Sequence, residues 1–255
     1  DNENSQLIYE TSLPCHHWAK PSKKTFVDWR IKVEKENGEI IHDETFDAKG
    51  KRVLIHLDSK SLGDNIAWTP YVEEFRKKHD CHVICSCFKK DLFEKSYPDI
   101  EFVEPGINHE GLYASYQIGW FDDWTDTNKN PTDPRTIPLQ QTATDILGID
   151  YEEIRPRIDV ENSRRPIEEK YICISTSSTA GCKHWQNPTG WQDTVNYLND
   201  LGYKVVVLQK ESLDWMDLKG LKNTEHPNTE NIHDVVSWLS NCEFFIGIGS
   251  GISWL

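Results

Sequence analysis

The chain has 255 residues, enough for two α/β domains that each bury a core. Its 28 basic and 42 acidic residues leave a formal charge of −14, which repels phosphate backbones and anionic membrane surfaces and so argues against nucleic acid as a partner. No apolar run approaches the roughly 18 residues of a membrane span, and the opening DNENSQ lacks the basic and apolar regions of a signal peptide, so the chain reads as soluble, without membrane insertion, and cytoplasmic.

Residues 1 to about 22 are polar, carry Pro14 and Pro21, and show no period; they predict an extended lead-in. From Phe26 the pattern alternates, with Val27, Trp29, Ile31 and Val33 on one face. Asn37 and Gly38 then supply a turn before Ile40 and Ile41, a β-hairpin signal. Residues 1–49 are therefore read as an N-terminal extension and small β module.

The run Val53, Leu54, Ile55 and Leu57 predicts a buried strand, broken by Ser61, Leu62, Gly63 and Asp64 before a helix that opens at Asn65 and runs to Lys78. Strands follow at His82–Cys87, Ile100–Val103 and Tyr113–Gly119, with a short helix at Lys89–Tyr97. Trp120–Arg135 is polar, acidic and interrupted by two prolines, hence a loop, and Leu139–Leu147 is a helix capped by Gly148. Short strands alternating with helices predict a parallel sheet, a Rossmann-like lobe over 50–161.

The charged stretch Asn162–Lys170 reads as the boundary to a second Rossmann-like lobe, 162–255. In that lobe Tyr171–Thr176, Lys204–Leu208 and Glu243–Ile248 predict strands, and Gly190–Leu201 and Ile232–Leu239 helices. Trp29 and Trp238, at strand and helix spacing, read as core residues. The chain ends GIGSGISWL, a strand, a glycine turn and one turn of helix. So short a helix leaves a sheet face uncovered, so a natural continuation past Leu255 is expected.

The seven cysteines are an odd number, and four lie in or beside apolar strand-like runs, which suits reduced, buried thiols. Cys81, His82, Cys85 and Cys87 invite a metal reading, but the spacing is not CxxC and no second pair follows, so no metal site is assigned.

Three strand-to-helix turns carry chemistry. The first, LGDNIAW, presents Asp64, which fits two roles: a helix N-cap, or a carboxylate at the ligand-binding edge of an open sheet. The second, STSSTAGCKHW, brings five hydroxyl residues before Gly181, Lys183, His184 and Trp185. The third sets Gly247, Gly249, Ser250, Gly251 and Ser253 before the last helix. Backbone N–H groups, hydroxyls and a lysine ammonium suit a diphosphate, and glycines let it approach the chain. Neither turn matches the P-loop or the dinucleotide fingerprint.

LDSKSLGDNIAWTPYVEEFRKKH, STAGCKHWQNPTGWQ and IGIGSGISWL, in this order, resemble the bacterial autotransporter O-heptosyltransferases, relatives of the lipopolysaccharide core heptosyltransferases and similar to glycosyltransferase family 9. The resemblance runs from about Trp29 to Leu255. It implies a GT-B-like pair of lobes, the second incomplete, with the nucleotide sugar in the cleft between them. By resemblance the catalytic base falls on Asp64, flanked by Gly63 and Asn65. Lys183 falls on the lysine that contacts the nucleotide phosphate, with Thr179, Ala180, Gly181 and Trp185 beside it. Gly249, Ser250, Gly251 and Ser253 fall on the diphosphate-binding turn.

The implied reaction is inverting transfer of a heptose from an ADP-heptose-type nucleotide sugar to a hydroxyl of a protein or glycan acceptor. It requires no cofactor, and the chain is expected to form a homo-oligomer. The family's iron site is expected only in a segment beyond this chain. A non-catalytic nucleotide-sugar or glycan-binding protein on the same scaffold is the alternative reading.

Overall fold

The computed structural model describes residues 6–119, 126–127, 130–160, 164–209, 220–228 and 230–255. Half of the loop read at Trp120–Arg135, and the start of the boundary read at Asn162–Lys170, lie outside the described residues. Residues 6–22 are exposed apart from Pro21 and form no helix or strand.

The hairpin pairs β1 (Arg30–Glu34) antiparallel with β2 (Ile40–Thr45). Gly38, at φ +84°, takes the left-handed turn position that a side chain resists. The alternation that predicts the hairpin does not bury it: Ile31 and Val33 are 53% and 42% exposed. Trp29, expected in the core, is half-buried and lines a cavity, because the hairpin stands beside the first sheet rather than on it. Phe26 anchors the module: its ring meets Phe46 edge-on at 5.4 Å, and its amide donates to the Ile146 carbonyl.

Four parallel strands follow: β3 (Arg52–Leu57), β4 (His82–Ser86), β5 (Glu101–Val103) and β6 (Ala114–Ile118), in the order β5-β4-β3-β6. β3 is central and its apolar residues are buried, as a strand covered on both faces requires. Helix α1 (Leu62–His79) carries Ile66, Trp68, Tyr71, Val72 and Phe75, all fully buried. Helix α2 (Leu139–Leu147) packs beside it and ends at Gly148 in the left-handed conformation.

The helix expected over Lys89–Tyr97 reduces to one 3-10 turn, Lys90–Leu92. So short a segment does not recover the cost of helix nucleation, and Pro98 disfavours helical backbone at Tyr97. Burial of Leu92 and Phe93 holds it instead.

The second sheet has three parallel strands, β7 (Tyr171–Ser175), β8 (Lys204–Val207) and β9 (Phe245–Gly247), in the order β8-β7-β9. Alternate residues of β7 enter two cores. Ile172 and Ile174 pack with Trp191, Val195 and Leu198 of α3 (Gly190–Asp200), whereas Tyr171 and Cys173 pack with Val235 of α4 (Ile232–Asn241). Trp238, half-buried, sits edge-on to Tyr171 at 5.2 Å and packs against the core from the face its spacing predicts.

Candidate active site

In each sheet the chain reverses direction of growth at the central strand: β3 has β4 on one side and β6 on the other, and β7 has β8 and β9. Ligands of open α/β sheets bind at the carboxyl ends of strands at such a switch point. The turn after β3 holds Asp64. The turns after β7 and β9 hold the predicted phosphate groups.

α1 begins at Leu62, before the expected Asn65. Ser61 is its N-cap, and Asp64 lies inside the first turn, so the N-cap reading of Asp64 is corrected. The cause is the buried Asn65 amide, which donates to the Ser59 and Ser61 carbonyls, each at 2.7 Å, and draws the turn tight. Ser59 Oγ donates to Asp64 Oδ2 at 2.6 Å and accepts from the Ser61 amide. A carboxylate that accepts a short hydroxyl hydrogen bond is held in one orientation. Ser59 and the clamping role of Asn65 escape sequence reasoning because one strand-to-helix turn offers many serines and no periodicity.

The second turn leaves β7 through Ser175, Thr176, Ser177 and Ser178, all buried. Buried His184 folds the loop back: its Nε2 accepts from the Ser178 amide at 3.2 Å and lies 3.0 Å from the Ser178 carbonyl. Gly181–Lys183 form a 3-10 turn that leaves Thr179 and Lys183 exposed and Ala180 and Gly181 half-buried. Among the described residues Lys183 is in no ion pair, so its ammonium is available to an anion. Trp185 is half exposed and lies flat over Gly190, where a Cβ would come within 2.5 Å of its ring. The indole thus fixes the start of α3 while presenting its other surface outward.

The third turn places Ser250 ahead of a 3-10 turn, Gly251–Trp254. Ser253 Oγ accepts from the Ser250 amide at 3.0 Å and donates to its carbonyl at 2.6 Å. Gly249 is exposed with open space where a Cβ would stand. Gly251 is different: a Cβ there would lie 2.8 Å from Leu62 Cβ, and one on Gly63 would lie 3.0 Å from the Trp254 ring. These two glycines let the first turn of α1 meet the turn after β9. Gly63, and with it the neighbouring Asp64, is brought against Gly251 and Trp254; the turn after β7 adjoins through the Ile248 amide, which donates to Ser175.

Among the described residues no group of three or more His, Cys, Asp or Glu could hold a metal ion. Burial pushes the Cys87 thiol up to about 12 and Cys85 well above its ordinary value, so both resist the thiolate form that iron takes. Among the described residues Cys81, His82, Cys85 and Cys87 therefore form no iron-binding set.

No family model matches the chain. The autotransporter heptosyltransferase Aah of Escherichia coli is 34% identical over 264 residues, covering 100% of this chain and 66% of Aah. A crystal structure of TibC, described as an iron-containing dodecameric glycosyltransferase of enterotoxigenic E. coli, superimposes with a TM-score of 0.85 at 34% identity, over 93% of this chain and 64% of TibC. The chain belongs to the autotransporter heptosyltransferase family.

The chain spans roughly two thirds of these relatives. TibC has also been solved in complex with ADP-D-β-D-heptose. Another member of the family, BimC of Burkholderia thailandensis, is named an inactive autotransporter heptosyltransferase; it is 31% identical over 92% of this chain and 56% of its own length. A family 9 glycosyltransferase of Veillonella parvula, 14% identical with a TM-score of 0.59, shares the fold alone. The two parallel sheets are a GT-B-like pair. Among the described residues no helix is long and apolar enough to cross a membrane.

Proposed function

We propose that this protein is an inverting glycosyltransferase that moves a heptose from an ADP-heptose-type donor to a hydroxyl of an autotransporter-like protein acceptor. Residues 50–161 form the acceptor lobe and 162–255 the nucleotide-sugar lobe. The observation that carries this reading is the contact of Leu62 and Gly63 with the Gly251–Trp254 turn, which brings the first turn of α1, where Asp64 lies, against a glycine-rich turn of the other sheet.

Asp64 takes the proton of the acceptor hydroxyl while that oxygen attacks the anomeric carbon. The bond from that carbon to the diphosphate oxygen breaks on the opposite side, so configuration inverts and ADP leaves with the electron pair. Lys183 balances the charge that develops on the diphosphate. Backbone N–H groups and hydroxyls at Thr179–Gly181 and Gly249–Ser253 hold it, with Trp185 bordering the site. The reaction is placed in the cytoplasm, and the protein assembles as a homo-oligomer, as the dodecameric description of TibC supports.

The test is transfer by the whole protein from ADP-heptose to an autotransporter passenger, with Asp64→Asn expected to lose transfer while keeping ADP binding. Wild-type transfer by Asp64→Asn overturns the assignment. The inactive relative BimC favours a second reading, a nucleotide-sugar-binding protein without turnover. Calorimetric binding of ADP-heptose with no transfer to any acceptor would select it.

A further inference from the structure

An open cavity of about 570 Å³ lies along β6, bordered by the lead-in, the hairpin and the strand itself. Among the described residues β6 is the end strand of its sheet, and each residue from Ala114 to Gln117 lines the cavity. Among the described residues the backbone hydrogen bonds of β6 and its flanks run only toward β3. Its outer N–H and C=O groups therefore face a chamber, and such an edge is a template for one more strand.

The walls specify what that strand carries. Lys20, Lys23 and Lys24 line the cavity from the lead-in, and Trp29, Tyr113 and Tyr116 supply aromatic surface. Among the described residues none of these lysines is in an ion pair, although Lys23 donates to the Thr127 carbonyl. The cavity's carboxylate, Glu44, already has Lys51 at 3.4 Å and His42 at 3.7 Å. In a chain of charge −14 this is a local reversal of sign.

The strand also leads to the candidate site. The Ile118 carbonyl accepts from the Asp58 amide at 2.8 Å, Gln117 Nε2 donates to Asp58 Oδ2, and Asp58 adjoins Ser59, the partner of Asp64. Whatever lies along β6 runs toward the Asp64 turn.

We infer that β6 and this cavity receive the polypeptide acceptor, an extended acidic segment that adds as a strand, sets its carboxylates on Lys20, Lys23 and Lys24, and carries a serine or threonine hydroxyl toward Asp64. This rests on the transferase reading. A glycan acceptor has no row of amides to pair with the edge.

The test is fluorescence anisotropy of the whole protein with a fluorescein-labelled dodecapeptide of alternating serine and glutamate. Combined Lys20→Glu, Lys23→Glu and Lys24→Glu changes are expected to weaken binding about tenfold or more, since unlike charges become like. N-methylation of one alternate set of peptide amides is expected to abolish binding, and of the other set to spare it. Unchanged affinity in the triple variant, or indifference to both methylation patterns, overturns the inference. Calorimetry with ADP-heptose and a thermal melt on the same variant confirm that the fold and donor site persist. If ADP-heptose fails to bind the wild-type protein while the peptide keeps its lysine and amide dependence, the transferase reading falls and the strand-addition site stands.

Discussion

Ser59 donates a 2.6 Å hydrogen bond to Asp64 Oδ2, so loss of its hydroxyl frees the carboxylate to rotate without removing the proposed base. Hydrogen bonds to charged groups contribute about 1.5–3 kcal/mol, and partial solvent access reduces this toward the lower bound. Ser59→Ala is therefore expected to lower turnover about tenfold, with ADP binding unchanged and Ser59→Thr largely restoring the rate. Equal turnover in Ser59→Ala and wild type would show that the bond does not position the base. The thiols give a second check at this scale. Cys15 and Cys182 are exposed, whereas Cys81, Cys85, Cys87 and Cys173 are buried. A thiol reagent at neutral pH should modify the exposed pair first and reach the buried four only after denaturation, as counted by absorbance with and without denaturant.

At the scale of elements, one contact fixes the end of α2 and another braces α1 internally. Gly148 ends α2 at φ +63°, and a Cβ there would come within 2.4 Å of the Phe26 ring that anchors the hairpin. Gly148→Ala should destabilise by about 1–2 kcal/mol from backbone conformation alone, and further through Phe26, lowering the thermal midpoint by several degrees. On α1, Arg76 grips nearly buried Glu73 through two hydrogen bonds, at 2.7 and 2.9 Å, and holds its carboxyl below the usual range. That contribution is fully present above the unfolded value of about 4.3. It is lost as pH falls through the lower folded value. Denaturant titrations from pH 6 to 3 should show less acid destabilisation in Glu73→Gln than in wild type.

These elements also show what a sequence discloses. The strands β3 and β7 are legible because both faces are covered, and the end of α2 because only glycine fits. The start of α1 was not, because side chains of Ser59 and Asn65, rather than periodicity, decide it. The segment after β4 looks helical by its apolar spacing, yet burial of Leu92 and Phe93 overrides so short a ladder. The roles proposed for Asp64 and Lys183 come from motifs; that Gly63 and Gly251 let two turns touch could not be read, since glycine before a helix reads equally well as a phosphate cradle.

At the scale of the whole molecule, that touching pair of turns joins two sheets whose cores also meet through α4, since Val236 is buried in the first core and Ile232 packs against both. If donor binding engages the turns after β7 and β9, its effect must cross to α1, because Gly251 packs on Leu62 and Trp254 on Gly63. Hydrogen exchange on adding ADP should then slow at Ser175–Lys183, at Ile248–Ser253 and at the first turn of α1, while the exposed β1–β2 hairpin exchanges unchanged. A saturating ligand at a hundred times its dissociation constant stabilises by about 2.7 kcal/mol, large enough to read at these amides. Gly251→Val supplies the decisive contrast. Its side chain, directed at Leu62, should part the turns and, at ADP concentrations that saturate the variant, confine protection to the second sheet's loops, with transfer lost. Protection of α1 that survives in Gly251→Val would mean that the ligand itself, not the packing of the two glycines, links the sheets.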